Sequence, residues 1–192
     1  MMEIVFATHN PNKLIELQQI VPKYIKLLSL EDIGCHEDII EDGKTIEENA
    51  LIKANYVFQN YNMTCFGDDT GLCVEALNGA PGVFSARYAG SQKNAQDNMD
   101  KLLKELNEVY NRKAHFKTVI AYKSDRDEKC FTGICEGEIL QKPKGKRGFG
   151  YDPIFKPNNF QQSFAEMPSD TKNKISHRGL ATQELINFLE NL

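Results

Sequence analysis

Two adjacent carboxylates and a hydroxyl, Asp68-Asp69-Thr70, occupy the stretch Phe66-Gly67-Asp68-Asp69-Thr70-Gly71-Leu72. The apolar run Met63 to Phe66 precedes them and Leu72-Cys73-Val74 resumes after them. The sequence therefore predicts a strand that runs out at Gly67 and turns. Adjacent side chains at a strand end point to opposite faces, so Asp68 and Asp69 are expected to do different work. One faces a ligand and the other holds backbone. A carboxylate so placed suits Mg²⁺, which takes one or two carboxylates and completes its shell with phosphates and water. Asp, Thr and Gly are also ordinary turn residues, so the partners of the motif decide its meaning.

Those partners are segregated by charge. From Glu31 to Glu48 eight acids stand against one lysine. Bases occur at Lys13, Lys53, the loop Lys142 to Arg147, Lys172, Lys174 and Arg178. A site joining the two groups would hold a metal on one side and an anion on the other. Glu41 with Asp69, or with Asp68, would make the metal pair. Glu31, Asp32, Glu37 and Asp38 read as a solvated face. Thr8-His9-Asn10-Pro11-Asn12-Lys13 is a polar turn into a helix, where backbone N–H groups and the helix dipole favour an anion. Lys53 lies in the stripe of Ala50 and Ala54, pointing inward or snorkelling to the surface. Arg178 opens the last helix against the dipole, which suggests an anion nearby. Phe149-Gly150-Tyr151-Asp152-Pro153 pairs two aromatics with a carboxylate in a rigid turn. Aromatics stack on bases and a carboxylate reads a base edge; core packing would use the same residues.

Several chemistries are excluded or unsupported. Gly43-Lys44-Thr45 is no P-loop, because Asp38 stands where its first glycine belongs. Gly145-Lys146 is followed by Arg147, and the glycines at 145, 148 and 150 lack dinucleotide spacing. No Ser-His-Asp or Cys-His arrangement can be assembled from spacing. The five cysteines form no C-x-x-C, so buried free thiols in a reducing compartment are expected. A net charge of −4 argues against a nucleic-acid surface. No signal peptide or membrane-length apolar run is present, so the cytoplasm is the expected location.

The elements that must position these groups follow in order. Ile4 to Ala7 is a buried strand, then a helix starts at Pro11, capped by Thr8 or Asn10, and ends at Pro22. Ile25 to Leu30 reads as a strand. Thr45 and Glu48 form a capping box for a helix carrying Ala50, Lys53, Ala54 and Val57. After an irregular connector comes a helix over 91–111. Strands over 114–122 and 129–140 follow, then a glycine-rich loop to Asp152, a strand at Ile154-Phe155 and a short helix from Ser169. A last helix from His177 to Leu192 has Leu180, Leu185, Ile186 and Leu189 on its apolar face. The order predicts an α/β fold with a mixed sheet in one domain, whose ligands sit at strand ends.

Taken together and in this order, the motifs resemble the inosine triphosphate pyrophosphatase family, the non-canonical purine NTP pyrophosphatases. The resemblance rests on Thr8-His9-Asn10 with Lys13, Glu41 ahead of Glu48-Asn49-Ala50 and Lys53, and Asp68 to Leu72. It also rests on Pro81-Gly82 with Ser85 to Tyr88, Phe149 to Pro153, and Ser176-His177-Arg178. His9 replaces a common glycine and Thr70 a common serine. The resemblance implies a two-lobed α/β domain over 1–192, built on a long mixed twisted sheet flanked by helices, with the site in the inter-lobe cleft and usually a homodimer. It implies Mg²⁺-dependent hydrolysis of ITP, dITP or XTP to the monophosphate and pyrophosphate. Thr8, His9, Asn10, Pro11, Asn12 and Lys13 would cradle phosphates, and Glu41 and Asp69 would face the metal, with Asp68 as a further contact. Asp69 would be the general base, Lys53 would hold phosphate and Thr70 would touch substrate. Phe149, Gly150, Tyr151 and Asp152 would read the base, and Lys172, His177 and Arg178 would complete recognition. A module that binds Mg·NTP without hydrolysing it, and a pyrophosphatase for other modified nucleotides, are the rival readings.

Overall fold

The computed structural model describes residues 2–192. The chain runs β1 (Met2–Phe6), α1 (Pro11–Ile20), β2 (Ile25–Leu28), α2 (Ile46–Tyr61), β3 (Cys65–Val74) and β4 (Pro81–Gly82). It continues α3 (Ala95–Glu105), β5 (Lys113–Lys123), β6 (Glu128–Ile139), β7 (Phe155–Pro157), α4 (Ser169–Ile175) and α5 (His177–Leu189). The strands form a sheet in the order β2-β1-β3-β5-β6-β7, with β4 paired to β3. β1 is parallel to β2 and β3, whereas β3–β4 and β6–β7 are antiparallel, so the sheet is mixed as expected.

The chain divides into two compact units. The first comprises residues up to Asp69, Thr118–Gly133 and Arg178–Leu192. Ile4, Val5 and Phe6 are all buried, as a continuous apolar run in a central parallel strand requires. They pack in a core with Leu17, Phe66, Ile120, Tyr122, Ala181, Leu185 and Leu189. The second unit comprises Thr70–Lys117 and Ile134–His177. Leu72, Val74, Leu102, Leu106, Phe116, Ile139, Tyr151, Phe155 and Phe164 build its core.

Helix starts follow the local chemistry. Asn10 caps α1, its side chain accepting from the backbone of Asn12 and Lys13, and Pro11 fills the first position. The Thr45–Glu48 capping box is formed at α2.

Four expectations are corrected. β3 does not stop at Gly67: one strand runs from Cys65 to Val74, so Asp68, Asp69 and Thr70 lie inside it. Gly67 serves close approach. A Cβ there would stand 2.6 Å from the Ala50 carbonyl oxygen and 2.8 Å from Lys53 Cβ, so the glycine lets α2 press onto β3. α3 spans Ala95–Glu105 rather than 91–111, because Asn94 caps it and the Leu106 N–H closes it onto Leu102 and Lys104. Leu180 is 40% exposed, and Ala181, Thr182, Leu185, Ile186 and Leu189 make the buried face of α5. Cys35, Cys65 and Cys135 are buried free thiols, but Cys73 is half-buried and Cys130 is exposed.

Candidate active site

The first unit assembles the charges. Alternation along β3 sends Asp68 and Asp69 to opposite faces, and each meets its own partners. Asp68 is fully buried. Lys13 Nζ donates to its Oδ1 at 2.7 Å and Arg178 Nε to its Oδ2 at 3.1 Å. Burial pushes the Asp68 carboxyl up, but Lys13 and Arg178 outweigh it and hold the group at about 2. Arg178 is itself buried, and its Nη1 donates to Glu16 Oε2 at 2.6 Å. Burial opposes the charge of Arg178, yet Asp68 and Glu16 raise its pKa. The misplaced arginine thus answers to carboxylates in its own unit. Both oxygens of Asp68 are engaged by cations, a role the sequence did not offer for it.

On the other face, Lys53 resolves inward: it is buried and lies between two carboxylates. Its Nζ is 2.7 Å from Glu41 Oε2 and 3.7 Å from Asp69 Oδ1. Burial opposes the Lys53 charge, and Asp69, Asp68 and Glu41 more than restore it, raising its pKa. Asp69 also accepts from Asn49 Nδ2 at 3.3 Å. Burial raises the Asp69 carboxyl against the pull of Lys53 and Lys13, with Glu41 and Asp68 adding to the rise. Glu41 and Asp69 are thus hard oxygen donors at the contact distance of one ammonium. Among the described residues no group of three His, Cys, Asp or Glu side chains is assembled that could hold a metal. A carboxylate pair without a full protein cage fits Mg²⁺ shared with phosphates.

In the β1–α1 turn, Thr8 Oγ1 accepts from the Asn10 N–H, and Asn10 Oδ1 takes the N–H groups of Asn12 and Lys13. His9 is exposed and its Nε2 lies 3.0 Å from the Glu37 carbonyl oxygen. Burial lowers the pKa of Lys13, which Asp68 opposes.

The second unit holds the remaining candidates. Thr70 is half-buried. Asp152 is buried, and its Oδ2 accepts from Lys172 Nζ at 2.6 Å and from the Phe149 N–H at 2.8 Å. A Cβ at Gly148 would fall 2.0 Å from that same oxygen, so the tight loop depends on glycine there. Lys172 Nζ also lies 5.3 Å from the Phe149 ring centroid and 5.5 Å from that of Phe164. Gly150 adopts φ 61°, which its missing Cβ permits. Tyr151 is turned into the core, and its hydroxyl donates to the Ser85 carbonyl at 2.8 Å. Its ring anchors the loop. His177 is buried and stacks on Phe116 with ring centroids 4.4 Å apart. The basic residues Lys142, Lys144, Lys146, Arg147 and Lys174 are exposed.

Sequence reasoning missed Glu16 and left Asn49 without a role. The signal for Glu16 was weak: it lies three residues beyond Lys13, on the same side of α1. Asn49 carried a better one, four residues before Lys53 on one helix face.

The family model described as Ham1 family matches residues 4–188. A dITP/XTP pyrophosphatase of Christiangramia forsetii is 59% identical over 98% of this chain and 99% of its own length. One from Flavobacterium psychrophilum is 57% identical over 99% of this chain and all of its own. Among solved structures, a HAM1 protein from Coxiella burnetii aligns over the whole of both chains with a TM-score of 0.91 and 40% identity. The Staphylococcus aureus Ham1 protein aligns over 98% of each with a TM-score of 0.89 and 38% identity.

Proposed function

Since the chain belongs to the Ham1 family, we propose that it hydrolyses the non-canonical purine triphosphates dITP, XTP and ITP to monophosphate and pyrophosphate. It does so in the cytoplasm and keeps these nucleotides out of nucleic acid. The observation that carries the reading is Lys53 in contact with both Glu41 and Asp69, while the adjacent Asp68 is neutralised by Lys13 and Arg178. Asp68 thus serves the fold, and Asp69 is left beside Glu41 as the carboxylate available to a metal and a water.

Glu41 and Asp69 would hold Mg²⁺, which supplies charge neutralisation at the phosphates. Asp69 takes the proton from a water aimed at the α-phosphorus. Its desolvation raises its affinity for that proton, against the opposing pull of Lys53 and Lys13. Thr8 to Lys13 and Lys53 hold phosphate oxygens and offset charge growing on the departing pyrophosphate. Thr70 touches substrate. Phe149 and Asp152, on a loop anchored by Tyr151, read the base, and Lys172, His177 and Arg178 complete recognition. Purine 6-oxo groups are selected by a donor, which in adenine would face another donor.

The test is incubation of purified protein with Mg²⁺ and ITP, dITP, XTP, ATP or GTP, measuring pyrophosphate against orthophosphate. Pyrophosphate from the first three is expected, with ATP, whose 6-amino group would face the donor, slower by at least about 10²-fold. Asp69→Asn should lose about 10²–10⁴ in kcat while nucleotide binding persists. Orthophosphate as product, or equal rates on ATP and ITP, would sink the reading, and no product at all would favour a non-hydrolysing module. A homodimer belongs to the same proposal, and a monomer in sedimentation velocity would remove that part.

A further inference from the structure

Asn49 and Asn98 occupy the same place on two helices. Each is the fourth residue of its helix, α2 and α3 respectively. Each is buried, at 1% and 4% exposure. Each clamps the preceding chain to the helix with its side-chain oxygen. Asn49 Oδ1 accepts from the Gly43 N–H at 2.9 Å, and Asn98 Oδ1 accepts from the Ala89 N–H at 2.6 Å. They differ at the amide nitrogen. Asn98 Nδ2 donates to the Ala86 carbonyl at 3.0 Å, which finishes a loop clamp. Asn49 Nδ2 donates to Asp69 Oδ2 at 3.3 Å.

The orientation of the Asn49 amide is fixed by chemistry. A backbone N–H can only donate, so the side-chain oxygen must face Gly43 and the nitrogen must face Asp69. A Cβ at Gly43 would come within 2.6 Å of Asn49 Oδ1, so this contact uses a position without a side chain. Gly43 follows Glu41 by two residues. One buried amide therefore ties down both the segment carrying Glu41 and the carboxylate of Asp69. Lys53, one helical turn on, holds the other oxygen of Asp69 and reaches Glu41. Asn49 and Lys53 thus form a two-point grip on the same carboxylate.

The geometry points to Asn49 as a positioning residue for the reaction, setting the rotamer of Asp69 and its spacing from Glu41. The inference rests on the pyrophosphohydrolase reading for its kinetic part. Groups that orient ligating or catalytic carboxylates typically cost about 10–100-fold in metal affinity or activity when lost.

The experiment compares Asn49→Ala with Asn98→Ala in the full chain, with ITP and Mg²⁺. Both variants lose a buried clamp and should show similar falls in Tm. Asn49→Ala should lower kcat by about 10–100-fold with KM within about threefold, and Asn98→Ala should keep kcat within about threefold. Binding of Mn²⁺ alone, followed by water-proton relaxation, should weaken by about tenfold or more in Asn49→Ala and stay unchanged in Asn98→Ala. That arm needs no substrate, so an inactive wild-type protein would overturn the activity reading while leaving Asn49 tested. Equal kcat and equal Mn²⁺ affinity in the two variants would overturn the positioning role. Should Asn49→Ala fail to fold, Asn49→Asp retains an acceptor for Gly43 and turns an oxygen toward Asp69. Its kcat should still fall, and wild-type turnover would overturn the inference.

Discussion

Replacing Asp68 with asparagine tests the buried ion cluster. Both oxygens of this carboxylate meet cations, Lys13 at 2.7 Å and Arg178 at 3.1 Å, and the side chain has no solvent exposure. Its carboxyl sits at about 2 against the ordinary 3.8. A pKa depressed on folding contributes stability that is complete above the unfolded value and is lost as pH falls through the folded one. At about 1.4 kcal/mol per pH unit, Asp68 alone then contributes about 2.5 kcal/mol that disappears between about pH 5 and pH 1. Removing one partner from a buried ion pair costs about 3–5 kcal/mol. Arg178 still has Glu16 at 2.6 Å, and an asparagine oxygen still accepts a hydrogen bond. We therefore expect Asp68→Asn to lose about 3 kcal/mol at pH 7, the low end of that range. Urea unfolding followed by circular dichroism measures this. As pH falls toward about 2.5, the carboxyl of the unfolded chain protonates while the folded one stays largely ionised, so the gap to the variant should narrow to about 1–2 kcal/mol. A gap below about 1 kcal/mol at pH 7, or one that stays constant to pH 2.5, would refute the claim that Asp68 is ionised by Lys13 and Arg178.

Other sites give independent tests. Gly67→Ala puts a methyl 2.6 Å from the Ala50 carbonyl oxygen; it should push α2 off β3 and cost about 1–3 kcal/mol, read by urea unfolding, with kcat reduced because Lys53 moves with the helix. Tyr151→Phe removes the hydroxyl that donates to the Ser85 carbonyl, so a stability loss of about 1 kcal/mol is expected with KM for ITP within about threefold, since the ring is an anchor. A large rise in KM would instead make the hydroxyl a base contact. Of the five cysteines, Cys130 should be alkylated first in the native protein. Burial pushes the Cys65 and Cys135 thiols up to about 12, and mass spectrometry should find them unmodified until the chain unfolds.

Local rules carried much of the fold. The starts of α1 and α2, the buried strand β1 and the β5–β6 pair were legible, because caps and periodicity are written within a few residues. Where local rules competed, the sequence misled. Gly67 beside two aspartates satisfied the rules for a turn, yet it is a strand residue on which a helix rests. The apolar repeat after Ser91 outran the Asn94 cap and the closing turn at Leu106, so α3 is shorter than its pattern. Leu180 fits the helical stripe and still faces water, because the face of α5 that packs is set by what lies beneath it.

The charged residues divide in the same way. Their identities and order pointed by themselves to a carboxylate pair with basic partners, and the order of motifs pointed to the family. Which charge meets which was settled by tertiary structure. Asp68 finds Lys13 across 55 residues and Arg178 across 110, separations at which spacing carries no information. The decision also depends on desolvation, which raises one aspartate of the pair, while Lys13 and Arg178 hold its neighbour down. Alternation along a strand requires that two adjacent carboxylates part company. What each of them becomes follows from the buried partners that the folded chain delivers to its side.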